Sequence, residues 1–318
     1  MKNSFLIVLL MISPIIFGQK KNLNKDLILF EKALALQELL TDHSFLSEIN
    51  QDTVNISTED KIRREYAKEL KENILNKVID NYNELIQQFP KSNLVFRSLN
   101  NKGIAELESG YQNKAKETFL KIVKSNANDK EKGGPGFGIM GEPYANYKNR
   151  ALKSLAKIEI GNKNYSEALQ YLEETKKFPY QHFCGNEFAE DKIYIAELYA
   201  QCYLGLNQTE KAFDVLLPNI FENGLANNSE IVNLTYSTLS KTYSKIDLKN
   251  QLEESFKNLM IKKEKRNKYE YMSYNINFLN RTIELPNWQL EEATTDQEIK
   301  NSTLQILKNS KFYALLSK

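Results

Sequence analysis

The sequence predicts an all-α protein built from stacked helical hairpins. Three observations lead to this expectation. Apolar residues recur at helical spacing along most of the chain, small residues recur at one fixed spacing in four places, and a capping box precedes the last apolar stretch. The 318 residues are 41% hydrophobic and 26% charged, which is enough apolar surface to bury a core. We therefore expect a folded protein.

The charge balance argues against a nucleic-acid partner. The chain has 43 Lys and Arg residues and 41 Asp and Glu residues, and the resulting net charge of +2 creates no long-range electrostatic field. One basic cluster stands out, and it contains Lys262, Lys263, Lys265, Arg266 and Lys268. The end of a solvated helix explains this cluster better than a phosphate-binding patch does.

The first nineteen residues have the pattern of a secretory signal peptide. Lys2 precedes an apolar run from Phe5 to Ile12, and Pro14 interrupts the run before it is long enough to span a membrane. No cysteine lies near the expected cleavage region, which argues against a lipoprotein anchor. The sequence therefore predicts removal of 1–19 and a soluble, exported protein, periplasmic or secreted, with no membrane span.

The next segment, 20–57, is expected to form one helix followed by a polar loop. Leu27, Phe30 and Leu34 recur at helical spacing, and the pattern ends near Thr41. His43 follows the end of this helix, where a surface or capping role suits it better than a ligand role.

Four copies of one spacing pattern follow. In each copy a small residue is followed twelve residues later by a second position, itself small in the first three copies, and four residues after that by a large apolar residue. The copies are Gly103, Ala115 and Phe119; Ala156, Ala168 and Leu172; Ala200, Ala212 and Leu216; and Ser240, Leu252 and Phe256. Turn residues precede the second position, for example Gly110-Tyr111 and Asn164-Tyr165. Facing small residues let two helices approach closely.

This pattern resembles the tetratricopeptide repeat, a helical hairpin of about 34 residues. The stretch from Tyr66 to Phe89-Pro90 is similar to a weaker, earlier copy, whereas Glu106 and Glu159 replace a usual aromatic. The resemblance implies a right-handed α-solenoid over 58–285, capped by the N-terminal helix and by a C-terminal helix in 286–318. It also implies a peptide or protein partner bound in the concave groove.

The spacing between copies predicts two inserted loops. Counted from Tyr66 through Gly103, Ala156 and Ala200 to Ser240, the copies start 37, 53, 44 and 40 residues apart. Against a unit of about 34, the largest surpluses are about 19 and about 10 residues. They fall in 128–147 and 178–188, at equivalent places in neighbouring repeats. Because adjacent helices pack about 10 Å apart, the two loops are expected to meet.

The C-terminal part is expected to be helical. The aromatic-rich stretch from Lys268 to Asn280 is interpreted as a further helix, and Leu285-Pro286 as a break. A capping box, Thr295 with Glu298, then starts a last helix. This helix is expected to cap the array, with a position inside the groove as the alternative.

The two inserted loops are the predicted binding site. Insertions on one edge of a repeat array often carry its function, and the alternative is that they only fill a gap between repeats. The expected contacting residues are Phe137, Tyr144, Tyr147, Arg150, His182 and Asn186. Of these, Arg150 is best suited to hold an anionic group through a forked hydrogen bond.

The two cysteines, Cys184 and Cys202, leave further alternatives open. They could form a disulfide if the loop folds back along the helix, although two free thiols are the simpler expectation. His182 and Cys184 also suggest a cysteine-dependent hydrolase, but no orienting acid is identifiable, and zinc would need further ligands. The run Gly133–Gly141 lacks the lysine of a phosphate-binding loop.

The sequence thus favours an exported binding protein with no cofactor or metal. The alternative is an enzyme that uses His182 and Cys184. Neither the partner's identity nor the oligomeric state follows from the residues.

Overall fold

The computed structural model describes residues 24–41, 57–132, 144–222, 224–266, 269–286, 290 and 295–318. Several predictions concern residues outside these ranges. They are the signal peptide at 1–19, the role of His43, the glycine run Gly133–Gly141 with Phe137, and the end of the break after Pro286.

The described residues form twelve α-helices and one small sheet, so the predicted helical class is confirmed. The helices are α1 (Lys25–Thr41), α2 (Thr58–Gln88), α3 (Val95–Glu108), α4 (Gln112–Lys124), α5 (Tyr147–Gly161), α6 (Tyr165–Thr175), α7 (Gly185–Gly205), α8 (Thr209–Leu216), α9 (Ser229–Leu239), α10 (Lys245–Lys257), α11 (Asp296–Asn309) and α12 (Lys311–Ser317). The strands are β1 (Met260–Arg266), β2 (Tyr269–Phe278) and β3 (Arg281–Glu284). Within the described residues, no helix is long and apolar enough to cross a bilayer.

The chain divides into two compact units, with the boundary after Ile122. In the first unit, α2 packs against both α1 and α3. Tyr82 of α2 lies at the centre of this core, 5.8 Å from the ring of Phe30. Its hydroxyl donates to Gln37 Oε1 at 2.7 Å and accepts from Asn101 Nδ2 at 3.1 Å. Burial raises the pKa of this phenol, so it stays a hydrogen-bonded neutral group.

The weak first copy of the repeat does not form a hairpin. Residues from Tyr66 to Gln88 belong to the single helix α2, which is 31 residues long and starts at the N-cap Ser57. No turn residue interrupts the helical period in this stretch, and Pro90 lies beyond its end. Tyr66 is 68% exposed, so it does not occupy a helix crossing.

The next three copies do form hairpins, and they share one turn. Gly110, Lys163 and Asn207 adopt left-handed backbone with φ of 77°, 62° and 58°. In each turn the backbone amide of this residue donates to the carbonyl of the residue three positions before it. The amide of the next residue donates to the carbonyl of the residue five positions before itself. This pair of hydrogen bonds is the Schellman motif, which ends the first helix and reverses the chain. Each of these residues lies five positions before the second small residue of its copy.

The small residues of these three copies lie in the interior, as predicted. Ala115, Ala168 and Ala212 are each 0% exposed. A Cβ added to Gly103 would lie 2.7 Å from the ring of Phe119, which leaves no room for a larger residue. The fourth copy departs from the pattern, because Ser240 is an exposed C-cap of α9.

The predicted helix from Lys268 to Asn280 is wrong. This part of the chain contains β2 and the turn into β3 of an antiparallel sheet in the order β1-β2-β3. The apolar residues Tyr274, Ile276 and Phe278 alternate along β2 and are buried, and the intervening polar residues Ser273 and Asn275 are buried as well. The basic cluster is also not a helix end, since Lys262, Lys263 and Lys265 lie on the edge strand β1.

The sheet packs with the last helices around one core. Phe312 of α12 is fully buried, with its ring centroid 6.2 Å from that of Phe278. The predicted capping box is confirmed, since Thr295 and Glu298 bond reciprocally at the start of α11. Two helices, separated at Ser310, replace the single predicted one. The second of them, α12, contacts both α9 and α10.

One arginine ties the sheet to an earlier hairpin. Arg281 at the start of β3 bonds the carboxylates of Glu210 and Asp214 in α8, at 2.9 and 2.7 Å. It follows a two-residue turn in which Leu279 and Asn280 have φ of 50° and 62°, as a type I′ hairpin turn requires.

Candidate functional site

The two inserted loops meet at Asn146. This residue precedes α5, is 0% exposed and adopts left-handed backbone with φ of 50°. Its Nδ2 donates to the carbonyl of Gln181 at 2.9 Å, and its Oδ1 accepts from the amide of Gln181 at 2.8 Å. A second amide, Asn149 Nδ2, donates to the carbonyl of Phe178 at 2.7 Å. Side chains at the end of one loop therefore hold the backbone of the other.

Asp129 orders the base of the first loop. Its carboxylate accepts from the backbone amides of Lys148 and Asn149 at 2.7 and 3.1 Å. A carboxylate at this position satisfies free amides of the first turn of α5 and complements the helix dipole. Its carbonyl accepts from the amide of Asn146, and Lys132 pairs with Tyr144 in an isolated antiparallel bridge. The described ends of this loop are therefore ordered.

The second loop is built around His182. Its imidazole Nδ1 accepts a hydrogen bond from the backbone amide of Cys184 at 2.9 Å. The imidazole ring lies parallel to the ring of Tyr180, and their centroids are 6.2 Å apart. It also stacks on the ring of Phe183, with the two centroids 5.0 Å apart. Tyr180 also meets Phe188 edge-on at 6.0 Å. The imidazole thus stabilises the loop backbone and an aromatic cluster.

Two members of this aromatic cluster are open to solvent. Phe183 is 65% exposed and Phe188 is 45% exposed, although both are large apolar side chains. They flank the N-terminus of α7, which begins at Gly185. Their position beside Tyr180 and His182 gives the surface an apolar aromatic patch, which is the kind of anchor that protein interfaces use.

A network of balanced charges lies beneath the patch. Lys153 of α5 is buried, forms an ion pair with Asp191 of α7, and has its Nζ 4.8 Å from the centroid of Tyr180. Burial lowers the pKa of Lys153, and Asp191 opposes that shift. Burial likewise lowers the pKa of Arg150, while the charges of Asp191 and other acidic neighbours act to raise it. An anionic ligand at Arg150 would therefore compete with carboxylates already present.

The predicted site residues do not all reach one surface. Tyr144 is half-buried with Lys132 Nζ 5.1 Å from its ring centroid, and Arg150 and His182 border the network described above. Tyr147, by contrast, is only 2% exposed and belongs to the interior. Asn186 points elsewhere, since its Oδ1 accepts from the amide of Leu225 at 3.1 Å.

Sequence reasoning missed several residues that build this site. Asn146, Tyr180, Phe188 and Asp191 all contribute to it, yet none was singled out from its type or spacing. Asn146 offered one usable signal, because asparagine tolerates left-handed backbone just before a helical pattern. The aromatic neighbours gave no signal of their own, since they come together only when the loop folds onto α7.

A small cavity lies between the two loops. Its volume is about 230 Å³, and its lining includes Asp129, Lys130, Phe178 and Gln181. Small-molecule pockets are usually about 300–1,000 Å³, so this cavity is small for an independent ligand site. The exposed aromatic patch is therefore the better candidate surface.

The two cysteines are free thiols. The predicted alternative of a disulfide is not formed, because α7 begins at Gly185 and carries Cys202 about 25 Å along its axis from Cys184. Cys202 is 0% exposed, and burial raises the pKa of its thiol to about 11. In addition, His182 directs Nδ1 at the Cys184 backbone, which leaves no bond from that nitrogen to the thiol.

No cluster of three or more His, Cys, Asp or Glu residues suited to a metal ion occurs in the part of the chain that the structure describes. Comparisons with family models, curated proteins and solved structures found no match to this chain. The functional argument therefore depends on the geometry alone.

Proposed function

We propose that this protein is an exported, tetratricopeptide-like binding module that holds an extended peptide or protein segment at its inserted loops. The observation that supports this most is the pair of hydrogen bonds between Asn146 and Gln181. These bonds join the two loops and place an exposed aromatic patch on an ordered base. Passive gap-filling would not require Phe183 and Phe188 to face solvent.

The repeat geometry supports the solenoid part of the proposal. Three successive hairpins share the same Schellman turn and the same buried small residues. Within the second unit, stacked hairpins of this kind would present their first helices, α5 and α7, along one groove. Insertions that follow the second helices would then lie along one edge of that groove, where a bound segment passes.

Selection from a random peptide display library tests the proposal directly. We expect selected peptides to bind the wild-type protein and to lose at least tenfold in affinity to the double variant Phe183→Ala/Phe188→Ala. Buried aromatic anchors commonly contribute about 2 kcal/mol or more each to an interface, which makes a tenfold loss a modest expectation.

A matched control separates this patch from general surface hydrophobicity. Leu225 and Ile246 are 85% and 72% exposed and lie outside the two inserted loops. The variant Leu225→Ala/Ile246→Ala should bind the peptides as the wild type does, and circular dichroism should show equal helical content in all three proteins. Equal peptide binding by the two double variants would refute the proposed site.

Export is tested separately. The mature protein recovered from outside the cytoplasm should lack residues 1–19 when its intact mass is measured. An exported protein that still begins at Met1 would overturn this part of the proposal.

A further inference from the structure

A second surface of the C-terminal unit has the properties of a small-molecule site. A cleft of about 310 Å³ lies between α10 and α11, with Tyr313 of α12 in its wall. From α11 it is lined by Lys300, Thr303, Leu304, Leu307 and Lys308, and from α10 by Glu253, Phe256 and Lys257. The α11 residues recur at three and four, so they form one face of that helix.

The wall of the cleft is apolar, and part of it is open. Phe256 of α10 and Leu307 of α11 are buried in the core, but Leu304, three residues before Leu307, is 45% exposed. A single exposed leucine is common on protein surfaces. When a ligand covers an exposed leucine inside a concave apolar cleft, however, the burial of apolar surface stabilises the complex.

Most polar groups of the cleft already have partners. The hydroxyl of Thr303 donates to the carbonyl of Ile299 at 2.5 Å, and the hydroxyl of Tyr313 donates to Glu253 at 2.6 Å. Lys257 pairs with Glu254 at 2.8 Å. These groups therefore do not need a hydrogen bond from a ligand.

The uncommitted charges at the rim are positive. Among the described residues, Lys300 and Lys308 line the cleft without an ion-pair partner, and both are exposed. An apolar wall bounded by ammonium groups is complementary to a molecule with an apolar body and an anionic head.

The size of the cleft favours a slender acyl chain over a helix. Two turns of an amphipathic helix, about 10 Å wide and about 11 Å long, occupy roughly 850 Å³. A straight chain of about ten carbons, each about as large as a water at ~30 Å³, occupies roughly 300 Å³. A cleft of about 310 Å³ lies at the lower end of the range for small-molecule pockets, which suits a slender chain of this size.

We propose that this cleft binds a straight-chain aliphatic carboxylate of about ten carbons, with its tail against Leu304 and its carboxylate at the lysine rim. This site is separate from the inserted loops and does not depend on the peptide-binding proposal. No bond is made or broken, so the ligand binds and leaves unchanged.

Titration calorimetry on the full chain tests the proposal with four defined probes below their micelle-forming concentrations. Decanoate should bind, and decanol, which has the same chain without the charge, should bind at least fivefold more weakly. Acetate, which lacks the chain, and decyltrimethylammonium, which reverses the charge, should show no binding in the range where decanoate saturates. Equal binding of decanoate and decanol, or no binding of decanoate, would overturn the proposal.

Two variants locate the site. Leu304→Glu should abolish decanoate binding, and Lys300→Gln/Lys308→Gln should weaken it at least fivefold. The matched control Lys262→Gln/Lys265→Gln removes the same charge from strand β1 and should leave binding unchanged. An equal loss in both lysine variants would mean that only net charge matters, and it would refute the assigned site.

A sedimentation assay with phosphatidylglycerol vesicles distinguishes a free carboxylate from a lipid surface. The protein should remain in the supernatant. Sedimentation with vesicles that Leu304→Glu prevents would identify the cleft as a membrane-binding surface and would overturn the proposed ligand.

Discussion

At the scale of single residues, Asn146 combines two roles that few side chains can combine. It occupies left-handed backbone, and it satisfies both the donor and the acceptor of the Gln181 peptide groups. Asparagine suits both roles, because it tolerates positive φ and its amide carries a donor and an acceptor. The contact between the loops therefore depends on the identity of this residue.

Substitutions at Asn146 should separate these two roles. Asn146→Ala removes both hydrogen bonds and adds left-handed strain, so it should lower the free energy of unfolding by about 3 kcal/mol. Asn146→Gly removes the bonds without the strain and should cost about 1 kcal/mol less. Urea denaturation measures both values. Equal losses of unfolding free energy in the two variants would show that left-handed strain at this position does not affect stability.

The two thiols should differ in reactivity. Iodoacetamide at pH 8 should modify Cys184 in the native protein, whereas Cys202 should react only after denaturation, because it is buried and its pKa is raised to about 11. Peptide mass mapping identifies the modified residue, and Cys184→Ser should give no native product. Native labelling of Cys202 would contradict the assigned burial.

The same pKa predicts the sign of one pH effect. Since the folded state holds the Cys202 proton more tightly than the unfolded state, this thiol's stabilisation is complete below about pH 9 and is lost as pH rises toward about 11. Cys202→Ala should therefore lose less stability over that range than the wild type.

At the scale of elements, the three hairpins show what a spacing pattern can predict. The small positions were predictable because close helix approach restricts residue size, and each hairpin reuses that restriction. The left-handed turn residues were less visible, since only Gly110 carries the expected glycine. Lys163 and Asn207 fill the equivalent places because the two Schellman hydrogen bonds fix the backbone whatever the side chain is.

Lys163→Gly should therefore stabilise the protein. Glycine removes the cost of left-handed backbone at an exposed position, and we expect a gain of about 0.5–1 kcal/mol in the free energy of unfolding. The control Lys157→Gly makes the same exchange inside α5 and should destabilise by about 1 kcal/mol. Denaturation curves with the same sign for both variants would contradict this interpretation.

Enlarging the small residues should have the opposite effect. Ala168→Leu and Ala212→Leu each add volume at a fully buried position, so each should destabilise by about 1–3 kcal/mol through overpacking. Thermal unfolding monitored at 222 nm measures the loss. Unchanged midpoints in both variants would mean that these alanines do not lie at helix crossings.

The missed sheet shows where periodicity reasoning failed. Tyr274, Ile276 and Phe278 alternate as a strand does, but Tyr271, Tyr274 and Phe278 also recur at three and four as in a helix, so the short segment is ambiguous. The turn residues Leu279 and Asn280 lack the glycine that usually reveals a two-residue hairpin. Tertiary packing against α10 decides the outcome, and a local pattern does not contain that information.

At the scale of the whole molecule, the C-terminal unit closes on its last helix. Phe312 and Leu316 complete a core shared by α9, α10, the sheet and α11. The capping box could be predicted from Thr295 and Glu298, but the core could not, because its members come from segments far apart in sequence. The same limit applies to the candidate site, where the spacing predicted the meeting of loops and missed the aromatic patch.

Phe312→Ala should show how much the packing of α12 contributes to the free energy of unfolding. Removal of a fully buried aromatic ring leaves a cavity beside Phe278, and we expect a loss of about 3–5 kcal/mol. Thermal unfolding gives the size of the effect. The variant Tyr313→Phe, which changes only a hydroxyl bonded to Glu253, should lose about 1 kcal/mol or less. Equal losses would argue that α12 is peripheral to the core.

The bond from Arg281 back to Glu210 spans 71 residues, and it affects the order in which the chain can fold. Each Schellman hairpin closes within a short stretch, so it can form as soon as its two helices exist. The contact between Arg281 and α8, in contrast, forms only after a long loop has closed, and that step carries a larger entropic barrier. A chain that emerges from its N-terminus would therefore complete these hairpins before β3 becomes anchored to α8.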